Sequence, residues 1–163
     1  MFVIVVVVIV NCSLLATINA NTQAIALVNT EIVLQSPLYT EDDKTSSQKA
    51  IFINGTTPAK TVIFSGHGMA KGVNYTDIGR ALIIPRGSSG VIESKGQGAM
   101  ITTIGGKASF TFHEIGHPDS NGTITATGAA FFDANATGKL AFLGKVVAVY
   151  KDGTDKVIAW KWK

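Results

Sequence analysis

Cysteine is almost absent from this chain of 163 residues, and its one copy, Cys12, lies in an apolar segment near the N-terminus. A disulfide needs two cysteines, so no disulfide framework can form within the chain. A multi-thiolate zinc site is excluded for the same reason, and the chain beyond Cys12 has no cysteine nucleophile. Packing and hydrogen bonding must therefore stabilise the domain.

Charged side chains are also scarce: they make up 15% of the sequence, none precedes Glu31, and the formal net charge is +3. A nucleic-acid-binding module needs a basic patch, usually with exposed aromatic residues beside it. The basic residues here are dispersed, because the lysines nearest the C-terminus recur at the spacing of strands: Lys139, Lys145, Lys151, Lys156, Lys161 and Lys163. The sequence therefore predicts no nucleic-acid partner.

The longest apolar run is at the N-terminus, where residues 2–10 are uninterrupted and residues 14–18 continue the run. The small side chain of Ala20 follows, and polar residues come next, which is the order of an export signal. We expect residues 1–20 to be a signal peptide, cut after Ala20 or Ala24, and the protein to be secreted or at the cell surface. No Lys or Arg precedes the run. An uncleaved N-terminal anchor is therefore the alternative, and only then would a membrane be a partner.

Residues 24–163 are rich in Gly, Thr, Val and Ile, a composition that favours strands in one domain. Short alternating segments separated by turn residues predict an all-β fold: a small antiparallel up-and-down (meander) barrel of about eight strands, with a sandwich as the alternative. Residues 39–48 are polar and are predicted to be an exposed loop. The predicted strands are residues 24–34, 50–53, 61–70, 74–84, 91–104, 107–115, 123–132, 138–150 and 157–162.

Alternation near the C-terminus indicates which face of the sheet is buried, since successive side chains of a strand point to opposite faces. Lys139, Lys145 and Lys151 share one parity, which predicts a solvated face. Apolar side chains share the other parity over residues 140–150. The same pattern places Trp160 and Trp162 together on an apolar face, where we expect them to form part of the core.

The segment His113-Glu114-Ile115-Gly116-His117 matches the His-Glu-x-x-His motif of zinc metalloproteases, which lies on a helix. Here an alternating aromatic segment precedes it and Pro118 follows it directly, so we predict a strand. Histidines four apart in a strand lie roughly 13 Å apart, too far to share one metal ion. We therefore disfavour a metalloprotease and predict no metal site or cofactor. A weaker candidate combines His67, His113 and Glu114 from neighbouring strands.

Three isolated acids, Asp77, Glu93 and Glu114, lie in predicted strands. Such residues can line the mouth of a barrel and act as acid/base groups. Charged residues on the solvated face of a strand are more common, and we expect these three to point outward. No catalytic residue is assigned.

Four Asn-x-Thr triplets, most of them at predicted turns, match the N-glycosylation acceptor, which requires a surface position. They begin at Asn54, Asn74, Asn121 and Asn135. In an exported chain, four such triplets predict a glycoprotein and support the predicted turns.

Residues 96–98, the hairpin at 105–106, and above all residues 137–143 leading to 160–163 resemble a group of uncharacterised secreted proteins of ammonia-oxidising archaea. The resemblance covers roughly residues 60–163. It implies a small barrel similar in fold to allene oxide cyclase and the plant dirigent proteins. The group has no known activity, so the resemblance implies a fold and leaves the function open.

These observations favour a binding or structural module over an enzyme. The expected partners are a small apolar ligand or components of the cell surface. The alternative is a non-metal enzyme of the cyclase or isomerase type, or a carrier, that uses the interior of the barrel. The two classes differ in that interior, because an enzyme or carrier needs a cavity with a few polar groups directed into it.

Overall fold

The computed structural model describes residues 36–153 and 156–162, which form a closed antiparallel barrel. Each strand pairs with the next in sequence, and the first strand closes the barrel by pairing with the last. No helix in the described part of the chain is long and apolar enough to cross a membrane. The strands are β1 (Tyr39–Ile53), β2 (Thr57–Ala70), β3 (Val73–Arg86), β4 (Val91–Ile101), β5 (Lys107–Pro118), β6 (Ile124–Phe132), β7 (Val147–Asp152) and β8 (Val157–Lys161).

The apolar core lies at the end of the barrel where β1 begins and β2 ends. Tyr39 pairs across the sheet with Ala70 on one side and with Ala159 on the other, and all three are buried. A 3-10 helix at Gly138–Leu143 adds Leu140 and Leu143 to this core, both fully buried. Large and small side chains alternate here because the interior of an eight-stranded barrel is narrow.

Aromatic rings cover interior glycines on neighbouring strands. A Cβ atom on Gly96 would lie 2.6 Å from the ring of Phe112, and one on Gly98 would lie 2.6 Å from the ring of Phe110. Glycine at these two positions therefore leaves room for a ring from the next strand. The phenylalanines in turn pack on one another, with the ring centroids of Phe64 and Phe112 5.8 Å apart. These rings form one wall of the barrel interior.

The fold confirms the predicted all-β barrel, but several predicted elements were wrong. Residues 39–48 belong to β1, not to a loop. The polarity of this segment has a structural cause: Gln48 and Lys49 are exposed in a ribbon with β2, and Glu41 points into the barrel. The strand predicted over residues 24–34 and the signal segment 1–20 lie outside the described residues.

The strand predicted over residues 138–150 is in fact the 3-10 helix followed by β7. Gly138 and Lys145 have positive φ angles of 57° and 62°, which a strand does not accommodate. Leu140 and Leu143 share a face because residues three apart align in a 3-10 helix. The alternation of apolar residues resembled a strand only by coincidence.

The predicted core position of the two tryptophans was also wrong. Ala159 fills the interior from β8, so Trp160 points to the opposite face and Trp162 is 63% exposed. A narrow interior favours alanine at this position, and the larger rings are therefore left on the outside.

Candidate functional site

A cavity of about 300 Å³ lies in the interior of the barrel and is partly open to solvent. Its wall is largely apolar and aromatic, and five polar side chains with a carboxyl or aliphatic hydroxyl group are also directed into it. This is the usual composition of a small-molecule site, where a few polar groups orient a ligand against an apolar wall. The main lining residues are Tyr39, Glu41, Val62, Phe64, Asp77, Ile83, Ser94, Met100, Phe110, Phe112, Glu114, Tyr150, Asp152 and Val157.

Four of the lining residues are acidic: Glu41, Asp77, Glu114 and Asp152. Asp77 is 1% exposed and Glu41 is 5% exposed, while the other two are half-buried. Among the described residues, no Lys, Arg or His lines the cavity. Carboxyl groups are costly to bury, so their concentration here is a property that packing alone does not require.

Glu41 is held by a tyrosine that reaches across an intervening strand. Tyr75 on β3 donates a hydrogen bond from its hydroxyl to Oε2 of Glu41 on β1, at 2.6 Å. Gly68 on β2 lies opposite both residues in the register. A Cβ atom on Gly68 would overlap the Tyr75 ring and the carbonyl oxygen of Thr40. The glycine therefore provides the gap through which the tyrosine passes.

Glu114 is held in the same way on a different part of the barrel. Tyr150 on β7 donates a hydrogen bond to Oε2 of Glu114 on β5, at 2.8 Å. Gly128 on β6 lies opposite both residues. A Cβ atom on Gly128 would lie 2.6 Å from Cβ of Glu114 and 2.8 Å from the Tyr150 hydroxyl. The arrangement Glu–Gly–Tyr over three adjacent strands thus occurs twice.

Each tyrosine is followed two residues later by an aspartate that lines the same cavity. We call Glu41, Tyr75 and Asp77 the first carboxylate set, and Glu114, Tyr150 and Asp152 the second carboxylate set. The first is centred on β2 and the second on β6. Their acids lie on β1, β3, β5 and β7 and are thus spaced around the wall of the cavity, with Glu41 and Asp152 on either side of Val157 of β8 in the register.

Both tyrosines are kept protonated. Burial raises the pKa of Tyr75 well above its usual value, and the neighbouring Glu41 carboxylate raises it further. Burial and then the Glu114 carboxylate raise the pKa of Tyr150 in the same direction. Each phenol is therefore a fixed hydrogen-bond donor that orients its carboxylate.

Ser94 on β4 lies beside the second carboxylate set, directly opposite Glu114 in the register. Its side chain is 2% exposed and lines the cavity. Its hydroxyl can both donate and accept a hydrogen bond, so it adds a polar group to the wall of the cavity.

The His-Glu-x-x-His segment lies in β5, as its alternation predicts, and its histidines are exposed. Nε2 of His113 lies 3.0 Å from Oε1 of Glu93, which also pairs with Arg86. His117 shares the face of His113, whereas Glu114 points to the interior. The segment is therefore divided between the two faces of the sheet.

The alternative set of His67, His113 and Glu114 is not brought together. His67 is exposed on β2, which β3 and β4 separate from the exposed His113 of β5, and Glu114 points inward. In the described part of the chain, no three His, Cys, Asp or Glu side chains are placed to hold one metal ion.

The expected outward orientation of the acids was wrong for two of the three. Asp77 and Glu114 line the cavity, and only Glu93 pairs with partners on the outer face. Five lining or supporting residues were not predicted from the sequence: Glu41, Ser94, Asp152 and the two tyrosines. The one signal in the sequence is the Tyr-x-Asp triplet, which occurs at residues 75–77 and again at 150–152.

The four asparagines of the predicted glycosylation sites are all exposed: Asn54, Asn74, Asn121 and Asn135. Asn54 lies in the turn between β1 and β2, and Asn121 lies in the turn between β5 and β6. Their modification stays a prediction.

No protein-family model matches the chain, and no curated protein matches it. Solved structures that are similar in fold include the following three. A conserved protein of unknown function from Rhodopseudomonas palustris has a TM-score of 0.60 at 14% identity, over 77% of this chain and 93% of that one. A protein of unknown function from Clostridium acetobutylicum has a TM-score of 0.63 at 13% identity, over 77% and 96%.

The third structure, a β-barrel-like protein from Acinetobacter baumannii, has a TM-score of 0.62 at 14% identity, over 78% of this chain and 94% of that one. At these identities the likeness shows the fold alone. The chain is thus similar to uncharacterised small β-barrel proteins, and its function must be argued from its own residues.

Proposed function

We propose that this protein is a secreted or cell-surface binding module that holds a small ligand inside its barrel. The observation that carries the proposal is the cavity of about 300 Å³, lined by aromatic rings and by polar groups from opposite walls. Its size is at the lower end of the usual range for small-molecule sites, roughly 300 to 1,000 Å³.

The cavity favours binding over a purely structural role. Protein interiors are normally close-packed, and a barrel of this size can be filled completely by its own side chains. This interior instead combines small residues with carboxyl groups, which are costly to bury unless they are paired or hydrogen-bonded. The buried hydroxyl of Ser94 is a further polar group at this wall that a ligand would contact.

A cyclase- or isomerase-like enzyme is the second candidate, favoured by the two Tyr–Glu hydrogen bonds inside the cavity. Efficient acid/base groups have a pKa near the working pH. The pKa values of Tyr75 and Tyr150 are instead raised far above neutrality, so neither phenol gives up its proton readily. The tyrosines are better suited to fixing carboxylates in place than to transferring protons.

The export signal predicted from residues 1–20 supports the extracellular location, and the exposed positions of the four asparagines are compatible with glycosylation there. The resemblance to secreted archaeal proteins, with its implied likeness to allene oxide cyclase, supports the same proposal. Both are sequence-based predictions.

A fragment screen by NMR tests the proposal. Isotope-labelled protein is mixed with amine, alcohol, acid and hydrocarbon fragments of about ten non-hydrogen atoms. We expect some of them to shift resonances of inward residues such as Phe110 and Phe112, and to leave the outer face unchanged. The substitution Ala81→Leu places a larger side chain in the cavity and should therefore abolish these shifts.

Ala99→Leu is the matched control, because Ala99 points outward from β4 between the inward Gly98 and Met100. It should bind fragments like the unmodified protein. A screen in which no fragment perturbs the interior would contradict the proposed function.

A further inference from the structure

We propose that one end of the barrel, the end that the apolar core closes, docks on a lipid bilayer with anionic headgroups. The inference is drawn from the charge of this end, its exposed apolar side chains and the point at which the chain enters the barrel. It goes beyond the proposed function and does not depend on what the cavity holds. We call this region the core end, and it comprises residues 36–40, 69–74, 100–108, 131–148 and 160–162.

The core end carries the net positive charge of the described residues. Its charged side chains are five lysines and one acid, Asp133. The other described residues include eight acidic residues and eight lysines or arginines, so their formal charges cancel. Charged surfaces attract partners of the opposite sign, and this end therefore favours an anionic one. The five lysines are all exposed: Lys71, Lys107, Lys139, Lys145 and Lys161.

The lysines are spread around the core end. Lys71 lies in the turn between β2 and β3, Lys107 begins β5, and Lys161 ends β8. Lys139 lies on the 3-10 helix, and Lys145 lies between this helix and β7. Five different elements thus each contribute one positive charge. This distribution suits an extended anionic surface better than a single small anion, which would need several lysines directed at one point.

An apolar side chain is exposed in the turn between β4 and β5. Ile104 is 67% exposed, in a type of position where Gly, Asn, Asp and Ser are usual. The backbone N–H of Thr102 donates to the carbonyl oxygen of Gly106 at 2.8 Å, and that of Gly105 donates to the carbonyl oxygen of Thr102 at 3.3 Å. Because these backbone groups are already hydrogen-bonded, the turn can enter an apolar layer at a lower cost.

A second apolar group is exposed where β6, β7 and β8 meet the core end. The backbone N–H of Trp162 donates to the carbonyl oxygen of Val147 at 2.8 Å, and Val147 pairs with Phe131 in the register. Trp162 is 63% exposed and Phe131 is 47% exposed. Tryptophan favours the interface between a membrane and water, because its ring is apolar and its N–H is polar.

Together, the two features favour a bilayer over a soluble polyanion. An acidic polysaccharide would pair with the lysines and leave Ile104 and Trp162 in water. Binding to a bilayer interface increases both with buried apolar area and with attraction to anionic lipids. A bilayer with anionic headgroups therefore satisfies both kinds of side chain at once.

The chain also enters the barrel at this end. The backbone N–H of Leu38 donates to the carbonyl oxygen of Ala159 at 2.7 Å, so the described chain begins beside the end of β8. The sequence that precedes it contains the apolar run predicted as a signal peptide or an anchor. If this run is kept as an anchor, the core end is the part of the barrel nearest to it along the chain.

Docking through the core end would leave the cavity accessible. Leu140 and Leu143 of the 3-10 helix are fully buried and belong to the core cluster at this end. Tyr39 and Met100 belong to the same cluster and also line the cavity. The core therefore lies between the docking surface and the cavity, and a docked barrel would hold its cavity away from the bilayer.

Tryptophan fluorescence of the full chain with vesicles tests the inference. The vesicles contain phosphatidylcholine alone or with about 30% phosphatidylglycerol, and brominated lipids serve as quenchers. We expect quenching in the anionic vesicles, at most weak quenching in the neutral ones, and a loss of quenching at high salt. The chain has two tryptophans, so Trp162→Phe should remove most of the quenching. The apolar run of residues 2–18 has no charged side chain, and its own affinity for lipid should not depend on headgroup charge.

Matched substitutions locate the docking surface. The double variant Lys107→Glu and Lys139→Glu should weaken binding to anionic vesicles by about tenfold or more. The double variant Lys49→Glu and Lys60→Glu is the control, since both lysines are exposed at the opposite end of the barrel, and it should change binding by less than about twofold.

A second pair of variants tests the apolar contribution. Ile104→Ser should reduce quenching in anionic vesicles, because a serine side chain gains little from entering an apolar layer. Phe52→Ser is its control, because Phe52 is 68% exposed near the turn between β1 and β2, away from the core end. It should leave quenching unchanged. Circular dichroism checks that each variant keeps its strands.

Equal quenching in neutral and anionic vesicles would overturn the requirement for anionic lipid. Equal weakening by the two double variants would overturn the assignment to the core end. Retention on heparin, with no quenching in any vesicle, would replace the bilayer by a soluble polyanion. The absence of both quenching and heparin binding would overturn the inference outright. None of these results bears on the cavity, which the fragment screen tests separately.

Discussion

The two carboxylate sets have the same construction but differ in burial. In the first set, Asp77 is 1% exposed and Glu41 is 5% exposed, and the hydrogen bond from Tyr75 is 2.6 Å long. In the second set both acids are half-buried, and the hydrogen bond from Tyr150 is 2.8 Å long. The first set is thus more deeply buried in the barrel, and the second is more accessible.

This difference in burial predicts different roles for the two sets, one in stability and the other in ligand binding. Removal of the hydrogen-bond donor of a buried carboxylate lowers the stability of the protein more than removal of a donor to a carboxylate that water can reach. The first set should therefore contribute more to stability. The second set adjoins Ser94, which also lines the cavity, and should contribute more to recognition.

The largest effect is expected at the two glycines that the tyrosines cross. Gly68→Ala would force a methyl group into the Tyr75 ring and the carbonyl oxygen of Thr40. Because backbone cannot yield easily, we expect a loss of about 3 kcal/mol in the free energy of unfolding. Gly128→Ala should cost a similar amount, since its Cβ would lie 2.5 Å from the carbonyl oxygen of His113. Urea denaturation measures both.

Gly153→Ala is the control for these variants, because the nearest atom to its Cβ would be the carbonyl oxygen of Lys156 at 3.5 Å, an ordinary contact. It should change stability by less than about 1 kcal/mol. If Gly68→Ala changed stability as little as Gly153→Ala, Tyr75 would not cross β2 at Gly68 as described.

The next effect concerns the phenols themselves. Tyr75→Phe removes the hydroxyl that donates to the buried Glu41, and we expect a loss of about 2 kcal/mol. Tyr150→Phe removes the equivalent donor to Glu114, which is half-buried, so about 1 kcal/mol is expected. Thermal and urea unfolding at pH 7 give the two values. A reversed order would show that burial does not distinguish the two sets.

The third prediction is a loss of stability in alkali. Burial and the adjacent glutamates raise the pKa of both phenols in the folded state, whereas in the unfolded chain the value is about 10. The folded state therefore holds these protons more tightly, and the resulting stability is fully present below pH 10 and lost above it. The slope is about 1.4 kcal/mol per pH unit for each phenol.

Unfolding curves between pH 9 and pH 12 measure this slope, and absorbance at 295 nm reports phenolate formation. Replacement of either Tyr75 or Tyr150 by Phe should remove about half of the slope that the two phenols contribute. Ionisation of both phenols near pH 10 in the folded protein would refute their protection by burial.

Sequence patterns predicted the strands best where a strand has one buried and one solvated face. β2, β3, β5 and β6 were located within a few residues, because most of their inward residues are small or apolar, with Asp77 and Glu114 as exceptions. In β1 only residues 50–53 were predicted as a strand; its start was missed because the buried face carries Glu41 and residues 47–50 are exposed on both faces. A polar interior removes the contrast on which alternation depends.

The candidate site was less predictable for the same reason. On β3 the exposed Ile78 and the buried Asp77 reverse the usual assignment of apolar and charged side chains. A single sequence gives no sign of this reversal. The pairing of Glu41 with Tyr75, and of Glu114 with Tyr150, depends on register across three strands, which local patterns do not specify. The repeated Tyr-x-Asp triplet is the one sign of these pairings in the sequence.

The smallest effect is expected for Glu93, an acid on the outer face of the sheet. Glu93 pairs with Arg86 and His113, both of which are more than half exposed. Water and salt screen such pairs, so Glu93→Gln should lower stability by about 0.5 kcal/mol or less, and the loss should shrink further in 0.5 M salt. Glu114→Gln at the interior provides the comparison: Glu114 is half-buried and hydrogen-bonded to Tyr150, so its effect on stability should depend less on ionic strength than that of Glu93→Gln. If the effect of Glu114→Gln on stability depended on salt and that of Glu93→Gln did not, the assignment of the two faces would be inverted. The interior carboxylate sets would then no longer define a site.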